Sequence, residues 1–141
     1  MADQLYWDDV EEGQEFKLTE PMSSQRLVIW AAASGDFYQV HYDIPFAQRT
    51  GLDNIIVHGA LKNAFLGQLL HAWVGTEGTV REFGCSYRGM DYPDQDILCK
   101  GIITSKSVDG DDHIVELDVW TENPDGQKTT PGTAKVILPA R

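Results

Sequence analysis

Two residues of types that act as general acids and bases in enzymes stand five positions apart in this sequence. Asp36 and His41 follow Gly35, which interrupts any continuous helix, so we expect both side chains to project from a loop. A carboxylate and an imidazole held in a loop can share one water molecule, because one group takes its proton while the other orients it. A structural interpretation remains open here, in which Asp36 caps the next turn and His41 simply packs.

A second motif, His58-Gly59-Ala60, stands where the longest apolar helix of the chain is predicted to begin. Gly59 opens that helix, so its N–H has no helical partner and carries the positive end of the helix dipole. Such an N–H is suited to a carbonyl oxygen that gains negative charge during a reaction. His58 is predicted to orient the turn before the helix, and a direct catalytic role for it is the less favoured alternative.

Three helices and one strand are predicted in the first half of the chain. The strand covers residues 15–18, and the helices cover residues 25–33, 44–49 and 59–73. Ser23 or Ser24 caps the first helix, Gly35 ends it, and Asp43 is placed to cap the second. The third helix carries apolar residues on most sides, with a stripe at Leu61, Phe65, Leu69 and Trp73, so we expect it to be buried.

The second half of the chain changes to the two-residue period of strands. Four strands are predicted over residues 79–88, 97–107, 113–121 and 128–138. Asp109-Gly110 and Asp125-Gly126 are strong turn signals, so successive strands run antiparallel. Pro131 indicates that the first part of the last strand is an edge or a bulge. The order predicts one α+β domain over residues 1–141, with an antiparallel sheet wrapped around one long buried helix.

Composition excludes several classes of function. The 141 residues suit one domain, and a net charge of −11 argues against nucleic acid as a partner. No segment is long and apolar enough to predict a membrane span, and no basic region followed by an apolar run begins the sequence. Cys85 and Cys99 have no metal-type spacing, so we expect two reduced thiols in a cytoplasmic protein. No metal and no cofactor are predicted.

Residues 34–59 resemble the motif of the MaoC-like dehydratases, the family of (R)-specific 2-enoyl-CoA hydratases. The family pattern reads Gly-Asp-x-Asn-Pro-x-His-x-Asp and later Val-His-Gly before a long helix. The matching positions here are Gly35, Asp36, His41 and Asp43, followed by Val57, His58 and Gly59. The resemblance implies a hot-dog fold, with Asp36 and His41 as the catalytic pair and the Gly59 amide as the oxyanion donor.

The resemblance further implies reversible hydration of 2-enoyl thioesters, of CoA above all, to 3-hydroxyacyl thioesters. Tyr38, His58 and Ala60, which flank the catalytic positions, are the predicted substrate-binding residues. The family works as a dimer with its tunnel near the interface, so a homodimer or a dimer of dimers is expected. Ile114 and Trp120 are the outward-facing apolar residues predicted to be buried there.

The main departure from the family pattern is Tyr38-Gln39, which replaces Asn-Pro. This variant motif is similar to that of MaoC-like subunits that act on steroid side-chain CoA esters and pair with a second, non-identical MaoC-like subunit. A bulky acyl substrate or a hetero-oligomer is therefore also implied.

Two other functions remain as alternatives, a hot-dog acyl thioesterase and a non-catalytic subunit. Five basic residues are candidates for contact with CoA phosphates, namely Arg49, Lys62, Arg81, Arg88 and Lys100. The ordinary alternative is that these side chains are solvated on the surface.

Overall fold

All the predicted helices and strands are present in the structure, a computed structural model that describes residues 4–141. In chain order they are β1 (Glu15–Glu20), α1 (Ser24–Ser34), α2 (Ile44–Arg49), α3 (Gly59–Val74), β2 (Thr79–Cys85), β3 (Ile97–Asp109), β4 (Asp112–Glu122) and β5 (Lys128–Ile137). Short 3-10 turns lie at Trp7–Asp9 and Gln39–His41. Strand β2 ends three residues before the predicted limit at position 88, although the N–H groups of residues 86 and 88 still donate to carbonyls of β5, each at 2.9 Å.

The five strands form one antiparallel sheet in the order β1-β3-β4-β5-β2. The predicted turns connect β3 to β4 and β4 to β5. Gly110 and Gly126 adopt φ values of 61° and 79° there, a region that glycine enters without steric cost. The antiparallel arrangement inferred from the turns is confirmed.

The predicted irregularity near Pro131 is a β-bulge. Thr121 pairs with Thr130 but Glu122 pairs with Lys128, so Thr129 is the extra residue of β5. The Thr129 carbonyl accepts hydrogen bonds from the N–H groups of residues 88 and 89, at 2.9 and 3.0 Å. The bulge therefore anchors the segment of residues 87–91, which we call the roof segment, beside the start of α3.

Helix α3 lies against one face of the sheet and forms the core with it. Its buried residues are Leu61, Lys62, Phe65, Leu66, Leu69, Leu70 and Val74. They meet the inward side chains of the central strands, among them Val115, Leu117, Val119 and Val136. This is the sheet wrapped around a long helix that defines the hot-dog fold.

The predicted burial of α3 is confirmed along its apolar stripe, but the opposite side of the helix is more exposed than its apolar content suggests. Gln68, His71 and Ala72 are exposed, because a single sheet covers only one side of a helix. None of the helices in residues 4–141 combines the length and apolar content needed to cross a bilayer.

The prediction that Ile114 and Trp120 are available for an interface is wrong for the single chain. Both side chains are only 8% exposed. The Lys128 ammonium lies 3.9 Å from the Trp120 ring centroid, and the indole N–H donates to Glu122 at 2.9 Å. Neighbouring residues of the same sheet therefore cover Trp120. Cys85 and Cys99 are free thiols, as predicted.

Candidate active site

The Asp36 carboxylate is presented by a tight connection after α1. Gly35 ends that helix with φ 77°, and its N–H donates to the Ala31 carbonyl. Asp36 then holds its own loop, because one carboxylate oxygen accepts the Tyr38 N–H at 3.3 Å. The side chain is 45% exposed, and its second oxygen faces His41. This conformation leaves one carboxylate oxygen free for chemistry.

The tautomer of His41 follows from its contacts. His41 ends the 3-10 turn, and its Nδ1 lies 2.8 Å from the Ile56 carbonyl oxygen. Because a carbonyl only accepts, Nδ1 must carry the hydrogen, and Nε2 of the neutral ring is then an acceptor. That Nε2 lies 3.9 Å from the free Asp36 oxygen, and the side chain is 10% exposed. Two proton acceptors therefore face each other across a short gap.

His58 is completely buried directly behind His41. The two imidazole rings stack with centroids 3.8 Å apart and an interplanar angle of 20°. His58 Nε2 donates to the backbone carbonyl of Asp36 at 3.2 Å. Burial lowers the pKa of His58, and neighbouring His41 lowers it further, while the bond to Asp36 and its charge oppose the shift. His58 is therefore neutral at neutral pH.

Three hydrogen bonds join the loop of residues 36–41, which we call the catalytic loop because it carries the candidate pair Asp36 and His41, to the segment before α3. His41 donates to the Ile56 carbonyl, His58 donates to the Asp36 carbonyl, and the Ile56 N–H donates to the Val40 carbonyl at 3.0 Å. Each segment thus supplies a histidine to the backbone of the other. These three bonds and the stacked rings hold the two segments against each other.

Asp36, His41 and His58 bring possible ligand atoms within 4.8 Å of one another. The stacked rings have nearly parallel planes, so their lone pairs do not converge on one ion. One nitrogen of each ring is also committed to a backbone carbonyl. The geometry suits proton transfer better than metal binding.

A groove of about 360 Å³ runs between His41 and the roof segment. Its lining includes His41, Ile56, Gly59, Lys62, Tyr87, Arg88 and Met90. Larger depressions of about 520 and 640 Å³ lie along strands of the sheet and are lined by neither Asp36 nor His41. The groove beside His41 is therefore the candidate active site.

Gly59 is the first residue of α3, and its N-cap residue, His58, makes no side-chain cap hydrogen bond. Within residues 4–141 the Gly59 N–H has no acceptor. A Cβ added at Gly59 would lie 3.1 Å from the Tyr87 ring. The Tyr87 ring thus covers the helix start, and a side chain at position 59 would require this ring to shift by a few tenths of an ångström.

The main feature that sequence analysis missed is a buried ion pair at the base of the groove. Lys62 is 2% exposed, and its ammonium donates to the Asp91 carboxylate at 2.9 Å and to the Gly89 carbonyl at 2.8 Å. The Asp91 carbonyl also accepts the Val57 N–H at 2.8 Å. Lys62 is therefore not a free phosphate ligand, and the pair fastens the roof segment to α3. The only sequence signal was a lysine directly after Leu61 in an apolar helix.

The remaining predicted positions lie around the groove rather than in it. Tyr38 is 57% exposed, with its ring edge-on to His41 at a centroid distance of 6.2 Å. Ala60 is exposed on the first turn of α3. Asp43 caps α2 as predicted, since its carboxylate accepts the Phe46 N–H at 2.9 Å.

The fold and this site define a MaoC-like hot-dog domain. The model of the MaoC-like domain family matches residues 8–121, so the chain belongs to that family.

Among curated proteins, the chain is 31% identical over 90 residues to the fatty acid synthase beta subunit TOXC of Cochliobolus carbonum, covering 62% of this chain and 4% of that protein. It is also 31% identical over 65 residues to the (R)-specific enoyl-CoA hydratase of Rhodospirillum rubrum, covering 46% of this chain and 45% of that protein. The chain therefore spans less than half the length of either curated relative in these matches.

Solved structures show the same fold over nearly the whole chain. An (R)-hydratase of A. caviae involved in PHA biosynthesis matches with a TM-score of 0.82 and 25% identity, covering 92% of this chain and 98% of that one. The R-hydratase PhaJ1 of Pseudomonas aeruginosa has a TM-score of 0.87 at 22% identity, covering 98% and 88%. A chain of the ChsH1-ChsH2 complex of Mycobacterium tuberculosis has a TM-score of 0.78 at 20% identity, covering 91% and 98%.

The buried pair leads to a stability prediction. Lys62→Met removes the charge and leaves Asp91 buried without its partner, so the free energy of unfolding should fall by about 3–5 kcal/mol. Replacing both residues in Lys62→Met/Asp91→Leu should recover most of this loss. Lys100→Met is the matched control, since its pair with Glu122 is more exposed and should cost about 1 kcal/mol or less. Urea denaturation measures the free energy of unfolding of all three variants. Equal losses for Lys62→Met and Lys100→Met would contradict the assignment of Lys62 and Asp91 as a buried ion pair.

Proposed function

We propose that this chain catalyses the reversible hydration of 2-enoyl thioesters, CoA esters above all, to 3-hydroxyacyl thioesters. The observation that carries the proposal is the 3.9 Å gap between His41 Nε2 and Asp36 Oδ2, with the His41 tautomer set by Ile56. His41, on one side of the gap, lines the groove, and Gly59, the first residue of α3, lines the same groove. An acid–base pair and an oxyanion donor at one groove are the two elements that this reaction needs.

The gap accommodates the attacking water. A water about 2.8 Å from each acceptor can donate one hydrogen to Asp36 and the other to His41. Its lone pairs then point away from both groups, toward a substrate in the groove. Asp36 is the proposed base, and His41 orients the water and takes part in returning the proton.

The reaction balances without a covalent intermediate or a cofactor. The water oxygen bonds to the β-carbon, the electrons of the double bond move to the thioester carbonyl, and the water proton passes to the Asp36–His41 pair. The Gly59 N–H stabilises the resulting enolate oxygen. The pair then delivers a proton to the α-carbon, which converts the enolate to the 3-hydroxyacyl thioester and returns Asp36 and His41 to their starting protonation states. Dehydration runs through the same steps in reverse.

Substrate binding is proposed to use the rim of the groove. Tyr87 and Met90, 54% and 48% exposed, offer apolar contact to an acyl chain. Arg88 is an exposed groove residue, whereas Lys62 is paired with Asp91, so Arg88 is the cation available to CoA phosphates. Tyr38 and Ala60 remain proposed contacts at the margin. Because the rim is open, a bulky acyl group, including a steroid side chain, is among the proposed substrates.

Removing one catalytic acceptor at a time tests the acid–base pair. Asp36→Asn keeps the acceptor for the Tyr38 N–H but loses the charge, and His41→Asn keeps a donor near Nδ1 but loses Nε2. Each should lower hydration by about a hundredfold or more, because each removes a group that holds or accepts from the water. The measurement is the ultraviolet absorbance of the conjugated double bond in short, medium and bulky enoyl-CoA esters.

Asp43→Asn is the matched control for these variants. It makes the same change in the same segment, and asparagine caps a helix as well as aspartate does, so turnover should be preserved. Near-normal hydration by a folded Asp36→Asn or His41→Asn protein would contradict the catalytic assignment. Release of free CoA thiol instead of 3-hydroxyacyl-CoA would identify the protein as a thioesterase.

The oxyanion role of Gly59 can be isolated with two substitutions that add the same Cβ. Gly59→Ala crowds the Tyr87 ring but keeps the N–H, whereas Gly59→Pro also removes the N–H. Proline is favoured at the first position of a helix, so α3 should still form. Turnover of the proline variant should fall about a hundredfold or more below that of the alanine variant. Equal turnover of the two folded variants would mean that the glycine serves packing alone.

We further propose that the chain works as an assembly of two or more hot-dog subunits, identical or not. Six large apolar side chains between α1 and the start of α2 are 40–60% exposed, namely Val28, Ile29, Phe37, Tyr38, Tyr42 and Ile44. Exposed apolar groups near a site favour a covering partner. A structural relative is described as the ChsH1-ChsH2 complex, which supports a hetero-oligomer as one form.

Light scattering at micromolar concentration tests the assembly. Ile29 is 60% exposed on α1, so Ile29→Glu should shift an oligomer toward monomers by placing a charge in the interface. Val108→Glu is the matched control, since Val108 is 54% exposed in the β3–β4 hairpin, outside the proposed interface. A wild-type monomer with full activity would contradict the proposal.

A further inference from the structure

We propose that His58 is a positioning residue for the reaction, whose buried ring holds both members of the Asp36–His41 pair in place. This inference rests on the proposed hydratase function. His58 has a relative exposure of 0%, so in this conformation it offers no surface to a substrate. Its contacts are instead with the two residues assigned to the chemistry, the ring with His41 and Nε2 with the Asp36 backbone.

The hydrogen bond from His58 Nε2 is the long-range contact that holds the backbone of Asp36 in place. The other hydrogen bonds of Asp36 are local, from its N–H to the Ser34 hydroxyl and from the Tyr38 N–H to its carboxylate. Residues 37–39 are exposed, so little packing fixes the loop there. The His58 bond spans 22 residues and joins Asp36 to the start of α3. Without it, the distance between Asp36 and the Gly59 N–H would no longer be set.

The stacked ring restrains His41 in a different way. The bond from Nδ1 to the Ile56 carbonyl fixes one atom of the His41 ring, and His58 covers one of its faces at 3.8 Å. The ring therefore cannot tilt without losing either the hydrogen bond or the stacking contact. Nε2 is kept directed at the gap beside Asp36.

The surroundings of the His58 ring favour its neutral form over its protonated form. His41 and Asp36 face it from the catalytic loop, and Lys62 lies one helical turn further along α3, neutralised by Asp91 of the roof segment. His58 Nδ1 is buried and, within residues 4–141, has no hydrogen-bond partner, so a second proton on the ring would find no acceptor. A neutral ring allows His41 to take up a proton during catalysis without repulsion from behind.

The stability of the protein should depend on pH through the same residue. Because burial lowers the folded pKa of His58 below 6.5, the unfolded chain binds a proton at this residue before the folded protein does. Its contribution to stability is therefore fully present above pH 6.5 and is lost as pH falls below that value toward the folded pKa. This dependence should disappear when the imidazole is replaced.

Two variants separate the two contacts. His58→Phe keeps a stacked ring and loses the donor to Asp36, so kcat for hydration should fall about tenfold or more while KM changes less than about threefold. His58→Gln keeps a donor near the position of Nε2 and loses the ring. It should retain more kcat than His58→Phe but allow the His41 ring to tilt, which would be seen as faster side-chain NMR relaxation of the His41 imidazole.

Urea denaturation between about pH 7 and about pH 5 provides a readout independent of turnover. Both variants should lose part of the pH dependence of the wild-type free energy of unfolding. His71→Gln, the same change at an exposed position of α3, should match the wild type in kcat and in the NMR relaxation of the His41 ring.

A folded His58→Phe protein with wild-type kcat, or a His41 ring that is as rigid in His58→Gln as in the wild type, would overturn the proposal. If the wild type hydrates no enoyl thioester, the proposed function fails instead. The NMR spectra and the unfolding curves would then still decide whether His58 holds His41 in place.

Discussion

The geometry of the site depends on two histidines that each donate to the other's segment. His41 donates to Ile56, and His58 donates to Asp36. A carbonyl partner leaves the neutral His41 ring a single choice of tautomer, and the gap at Nε2 follows from that choice. Without these bonds, an exposed loop would carry the carboxylate at no defined distance from the start of α3. The same contacts that connect two parts of the fold therefore also define the geometry of the candidate site.

A second set of contacts completes the groove from the opposite side. The bulge at Thr129 anchors the roof segment to the sheet, and the Lys62–Asp91 pair fastens it to α3. Tyr87 is thereby held over Gly59, close enough that any Cβ would press on its ring. A bulge that interrupts a regular ladder and a buried charge in a core helix both cost stability. Each of them here supports one wall of the candidate site.

The chain departs from its family where Tyr38-Gln39 replaces Asn-Pro, yet the loop retains a defined conformation. The Tyr38 N–H supports the Asp36 carboxylate, a contact that any residue except proline can make at this position. The Tyr38 side chain is free of this task and stays exposed above His41. The substitution therefore changes the rim of the site more than the placement of the catalytic pair.

The sequence by itself determined the helices, the strands and the loop that carries Asp36 and His41. Their signals are local, since the Asp43 cap and the Gly35 helix end involve partners within four residues. Only the tertiary structure decided the partners of His58 and Lys62, which lie 22 and 29 residues away. No short pattern encodes such pairs, because they form only when α3, the loop and the roof segment pack together. The burial of Trp120 was likewise decided by the tertiary structure, because Lys128, which covers its ring, belongs to the neighbouring strand β5.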